Sequence, residues 1–191
     1  MSITNRPAVA DDAADIARLF LISSDGLAEY IWTLVKEPGE TVLEAGTRRY
    51  RRSGVAFSYQ NCLIAEVDGR PAGMAHSYPM VVDPDAAPES DPVLRPYSEL
   101  EDDGSLYLSG IAVNEDARGK GIGSRLMVAV FQRTSELGLP RLSLICFERN
   151  EGAMRMDRRL GFREAARRPL VPHPLLRYQD GDAVLLVAEA D

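Results

Sequence analysis

Apolar residues along the chain recur at two spacings, and the changes of spacing mark the elements. Residues 2–9 predict a short first strand, and Asp11 or Asp12 then caps a helix carrying Ile16, Leu19 and Phe20. Helical spacing resumes at Leu27, Tyr30, Ile31, Leu34 and Val35. Pro38-Gly39 breaks it, and residues 42–52 form a further helix that ends before Gly54. Residues 62–67 and 72–78 read as two strands joined at Asp68-Gly69, a dipeptide that favours tight hairpins. Residues 79–104 hold five prolines, many carboxylates and little periodicity, which predicts a long acidic loop insertion.

The most informative stretch is 106–123, where a strand pattern runs through a polar turn into glycines at 119, 121 and 123. Period two places Ser105, Tyr107 and Ser109 on one face, opposite Leu106 and Leu108. Gly110 then interrupts the strand, and a glycine there often marks a bulge. Ile122, Leu126, Ala129, Val130 and Leu137 start a helix near Ile122, which Gly138 and Pro140 stop. Its first turn leaves N–H groups unpaired at the positive end of the dipole, and the glycines let a large anion approach them. Arg118 and Lys120 add two cations, so the matching ligand is a phosphate or pyrophosphate.

Two familiar phosphate motifs fail. A Walker loop needs glycine at position 114 and a hydroxyl residue after Gly-Lys, but the chain has Asn114 and Gly121. A dinucleotide fingerprint needs glycine where Ser124 or Leu126 stands. What remains, a strand followed by Arg118-Gly119-Lys120-Gly121-Ile122-Gly123 and a helix, resembles the signature of the GCN5-related N-acetyltransferases (GNAT family). A second block, Asn150 with Ala153 and then Gly161-Phe162, is similar to that family's next conserved segment. The likeness is specific over residues 106–162.

The resemblance implies an α/β fold, a mixed, twisted sheet of about seven strands with helices on both faces and a splayed central cofactor cleft. It implies a single acetyltransferase-like domain over residues 1–191, with the N-terminal helices and 79–104 shaping the acceptor pocket. Acetyl-CoA would be cosubstrate, its pyrophosphate on the backbone of Arg118, Gly119, Lys120, Gly121, Ile122, Gly123 and Ser124. Its pantetheine arm would bond Ile111, Ala112, Val113 and Asn150. The N–H of Ile111 would polarise the thioester carbonyl while an amine attacks directly. Family members often carry a tyrosine acid at the position of Asp157, and some a glutamate base at that of Ser105. An aspartate donates a proton at neutral pH only if burial raises its pKa. Candidate side chains are therefore Asp157, Tyr107 and Ser109, with Glu101, Asp102, Asp103 and His76 as further candidate bases.

The reaction read from this is N-acetyl transfer to a primary amine of a small molecule or peptide; the alternative is a non-catalytic acyl-CoA-binding or regulatory module. Composition bounds the rest. A 191-residue chain fits one substantial core, and a net charge of −7 argues against nucleic acid as partner. Cys62 and Cys146 lie in apolar runs as buried thiols, no metal-ligand spacing is present, and no apolar run approaches a membrane span. A cytoplasmic protein is expected, as monomer or homodimer. The basic run Arg48, Arg49, Arg51 and Arg52 reads as a solvated helix face, and His173 among three prolines as incidental.

Overall fold

The computed structural model describes residues 2–190. Seven strands form one mixed sheet in the order β1-β2-β3-β4-β5-β7-β6. Contacts divide the chain into two compact units: residues up to 78 with 110–130, and 79–109 with 131 onward.

The first unit contains β1 (Ile3–Pro7), α1 (Ala13–Ser23), α2 (Leu27–Val35), α3 (Val42–Tyr50), β2 (Cys62–Val67) and β3 (Arg70–Pro79). Asp68 and Gly69 turn β2 into β3 with φ of 49° and 77°, the paired left-handed conformation that matches strand twist. Residues 72–77 of β3 are buried whichever way they point, so the sheet is covered on both faces there. Thr41 and Glu44 cap α3 reciprocally, Thr41 Oγ1 accepting from Glu44 N–H at 3.2 Å and Glu44 Oε2 accepting from Thr41 N–H at 2.7 Å. Ile16, Leu19, Phe20, Trp32, Tyr50, Ile64 and Met74 fill the core.

Asp12 does not cap α1 through its side chain. Its carboxylate accepts both terminal nitrogens of Arg6, at 2.7 and 2.9 Å, and the Val9 N–H at 2.8 Å. Arg6 also donates to Glu66 at 2.8 Å, so one guanidinium ties β1, β2 and the entrance of α1 together. Those bonds, the one from Arg6 foremost, hold the Asp12 carboxyl below the usual carboxylate range.

The second unit contains α4 (Arg95–Ser98), the first part of β4 (Leu106–Val113), β5 (Arg141–Phe147), α6 (Glu151–Arg159), β6 (Arg163–Pro169) and β7 (Asp182–Glu189). The stretch expected to be loop thus includes the helical turn α4, started by Pro96, whose fixed φ suits a first turn. β5 and β7 pair antiparallel from Arg141↔Glu189 to Phe147↔Ala183, and β4 joins β5 in parallel at Leu106↔Leu142 and Tyr107↔Ser143. Arg141 grips Asp102 with bonds of 2.7 and 3.0 Å and reaches Asp103 O at 2.8 Å. Leu100, Phe147, Leu170, Ala183 and Leu185 form a core against which Tyr97 packs, its hydroxyl oxygen buried without a hydrogen bond.

Two substitutions separate these interactions. Asp12→Ala removes the two-pronged partner of Arg6, leaving it Glu66 alone as counterion, and strips the Val9 N–H of its acceptor, and should lower stability by about 2–4 kcal/mol in urea unfolding. Because the carboxyl's folded pKa is depressed, that contribution is present above the ordinary carboxylate range and is lost as pH falls through the folded value. Tyr97→Phe removes an unpartnered hydroxyl and should leave stability unchanged or raise it by about 1 kcal/mol.

Candidate active site

The backbone of β4 sets the site. Exposure alternates along it, even positions buried and odd positions partly open, without a break at Gly110. Gly110, expected to mark a bulge, also meets α1 closely: a Cβ there would lie 2.6 Å from Ser23 Oγ and 2.8 Å from the Phe20 ring. Asn114 N–H donates to Ala72 O at 2.8 Å, and Ala112 O lies 2.9 Å from where a Gly73 Cβ would stand. From Ala112 onward the even-numbered residues therefore face β3. Strand alternation then turns the N–H and C=O of Ile111 and Val113 away from β3.

After Val113 the chain makes a 3-10 turn at Glu115–Ala117 and enters α5 (Ile122–Glu136) through Gly119 and Gly121, whose φ values are 75° and 77°. Nothing stands within 4 Å of a Cβ built on either glycine, so conformation requires them and the space above them is open. The first N–H of this run that bonds back is that of Arg125, to Gly121 O at 3.1 Å. The N–H groups leading into a fifteen-residue helix are thus left for a ligand, at its positive end. Arg118 Nε donates to Val113 O at 3.3 Å and Lys120 Nζ to Asp116 O at 3.0 Å, which folds both cations against their own loop. An open cradle of amide donors with two adjacent cations fits the pyrophosphate of a nucleotide cofactor.

Asn114 anchors this turn. Its Oδ1 accepts from Arg18 at 2.6 Å and its Nδ2 donates to Pro71 O at 3.2 Å. No local pattern marks it, because both partners are distant in sequence.

In the second unit, Tyr107 and Ser109 lie on the partly open face of β4, as the alternation predicts. Ser105 does not join them: it precedes the strand, is fully buried, and shares a 2.6 Å hydrogen bond with Ser143 Oγ. The position where some relatives carry a base is therefore structural. Asp102 is committed to Arg141, and Asp103 accepts from Val82 N–H at 2.9 Å. Glu101 is exposed, with no hydrogen bond or ion pair among the described residues. Asn150 caps α6, its Oδ1 accepting from Ala153 N–H at 3.2 Å, and its side-chain NH2 makes no bond among the described residues. Asp157 on α6 is 4% exposed, and burial pushes its carboxyl up to about 6 against a smaller opposing hydrogen bond from the Cys146 thiol.

His76 is fully buried among Phe20, Tyr50, Phe57 and Tyr78. Its Nε2 lies 3.0 Å from Ala56 O, which can only accept, so Nε2 carries the proton and Nδ1 faces the Tyr50 hydroxyl at 3.4 Å. This is a core histidine rather than a base. His173 accepts from Leu175 N–H at 3.2 Å and closes its own turn.

Comparison with known proteins is consistent with this geometry. The Acetyltransferase (GNAT) family model matches residues 28–162. No curated protein matches the chain. Among solved structures, an acetyltransferase aligns at 20% identity over 98% of this chain and 100% of its own, with a TM-score of 0.67. An N-acetyltransferase from Staphylococcus aureus Mu50 aligns at 22% identity over 97% and 100%, also at 0.67. YncA from Salmonella typhimurium, solved with its cofactor acetyl-CoA, aligns at 17% identity over 100% and 95%, with a TM-score of 0.60.

Gly121→Val tests the cradle. A β-branched side chain both strains the left-handed backbone and fills the open space, so acetyl-CoA affinity measured by calorimetry should fall about tenfold or more. Unchanged affinity would show that the anion lies elsewhere.

Proposed function

The chain belongs to the acetyltransferase (GNAT) family, and we propose that it is an acyl-CoA-dependent N-acetyltransferase that takes acetyl-CoA as cosubstrate and acetylates a primary amine of a small molecule or peptide by direct attack on the thioester. The observation that carries this reading is the continuity of β4 with the amide cradle: the odd-numbered backbone groups at Ile111 and Val113 lead directly into the open N–H run before α5.

Acetyl-CoA brings the acetyl group as an activated thioester. In the proposed site the amides of residues 118–124 bind its pyrophosphate, and Ile111 and Val113 align the pantetheine arm, whereas Ala112, expected to share in this, faces β3 with its backbone groups instead. Asn150, whose cap uses only its oxygen, offers its NH2 to a pantetheine carbonyl. The Ile111 N–H donates to the thioester oxygen as charge develops there during attack by the neutral amine. The new C–N bond replaces the C–S bond; the amine's surplus proton passes to water held by Tyr107 and Ser109, and the departing sulfur takes a proton from Asp157. A carboxyl raised to about 6 retains a protonated fraction near neutrality, which an ordinary aspartate lacks. No helix among the described residues is long and apolar enough to cross a membrane, and both cysteines are free and buried, in keeping with a cytoplasmic location.

The direct test follows CoA release from acetyl-CoA across amines, amino acids and peptides, with acetyl-CoA binding measured in parallel. Acceptor-dependent release supports the reading; tight binding without release from any acceptor favours a binding module. Asp157 has its own test. The proton it donates is lost as pH rises through about 6, so kcat should carry a falling limb there that Asp157→Asn removes, with a lower kcat on the acid side. Stability carries the same sign: with the folded pKa raised, the contribution is present below the ordinary carboxylate range and is lost as pH rises through about 6. Asp157→Asn should therefore be more stable than wild type at pH 7, by about 2–3 kcal/mol.

A further inference from the structure

The basic run at the end of α3, Arg48 and Arg49 in its last turn and Arg51 and Arg52 just beyond, does not behave as one solvated face. Arg48 pairs with Glu40 at 2.9 Å, Arg52 Nε donates to Arg49 O at 2.9 Å, and Arg51 is exposed to solvent. Arg49 differs from all three. It is partly buried, its Nε is enclosed without a hydrogen-bond partner, and its guanidinium makes no hydrogen bond or ion pair among the described residues. Its one contact of note is the Phe57 ring, 5.9 Å from guanidinium carbon to centroid. Burial, together with the neighbouring Arg52 and Arg48, disfavours its charged form. A cation held in this state gains strongly from an anion that reaches it.

The surroundings say where such an anion would come from. The Phe57 ring meets Phe20 edge-on with centroids 5.9 Å apart and Tyr78 at a tilt with centroids 5.7 Å apart, and the Phe20 ring, with Ser23, is pressed against Gly110, the residue before Ile111. Phe20, Trp32, Tyr50 and His76 are buried, whereas Phe57, Tyr78 and Arg49 are partly open. One continuous aromatic cluster therefore runs from the acyl-transfer strand to a single unpaired guanidinium, with its open members at the Arg49 end.

We propose that Arg49 is the anion subsite of the acceptor: the substrate is a small amine carrying a carboxylate, which pairs with Arg49 while its apolar part lies on Phe57 and Tyr78. The proposal rests on the acetyltransferase reading for the identity of the ligand as acceptor, whereas the carboxylate recognition is a property of Arg49 itself.

The experiment titrates N-acetylated amino acids and their carboxamides into the protein by calorimetry, with and without CoA, for wild type, Arg49→Gln and Arg49→Lys. Wild type should bind at least one carboxylate about tenfold more tightly than its carboxamide. Arg49→Gln should abolish that ratio while leaving carboxamide and CoA affinities within about twofold and the ligand-free Tm no lower, and Arg49→Lys should retain part of it. The proposal is overturned if no carboxylate binds better than its carboxamide, if Arg49→Gln weakens both alike, or if the ratio survives in Arg49→Gln. Loss of acetyl-CoA binding or of all turnover in wild type would refute the acetyltransferase reading instead, and the ratio measured without CoA would still judge Arg49.

Discussion

The first unit rests on the absence of three Cβ atoms. At Gly46 a Cβ would lie 2.3 Å from the Trp32 ring, at Gly73 it would meet Ala112 O at 2.9 Å with Ile122 and Leu126 close behind, and at Gly110 it would strike Ser23 and Phe20. Backbone and helices approach at distances that leave no room for a methyl group, and a close-packed interior cannot absorb one cheaply. The two sheet glycines matter most, because they fix β4 against β3, α1 and the start of α5. The direction of the Ile111 and Val113 backbone groups follows from that fit.

Charge is managed differently at three positions. Asp12 is ionised and satisfied three times over, so its burial strengthens the fold. Asp157 is buried with only a thiol to bond, and the same desolvation makes it a proton carrier near neutrality. Arg49 keeps its charge because guanidinium cannot readily lose it, and is left without a counterion. Burial thus accompanies a structural lock, an acid and an anion receptor, and what lies beside each group decides which it becomes.

Local signals are legible in the sequence where the chain answers to itself. The Asp68-Gly69 hairpin, the start of α5 near Ile122, the Asn150 cap and the positive-φ glycines of the cradle depend on neighbours within a few residues. What escaped depends on partners far along the chain. Asp12 has the appearance of a cap but is claimed by Arg6; Ser105 has strand spacing but turns inward to Ser143, thirty-eight residues away. Gly110 owes its lack of a side chain to α1 as well, and the four arginines at the end of α3 look alike until Phe57 folds beside one of them. Asp157 stands where the family resemblance implies an acid, and only its enclosure supplies the pKa that the chemistry asks for.

Asn150 carries two constraints on one short side chain. Its oxygen holds the first turn of α6, while the NH2 on the same carbon stays available to a pantetheine carbonyl in the proposed site. Aspartate would preserve the helix yet offer no donor, serine would cap through a shorter arm, and glutamine would set the donor too far from the turn. Substitutions here are filtered twice, once by folding and once by ligand. The position should therefore drift more slowly through descent than its exposed neighbours on the same helix.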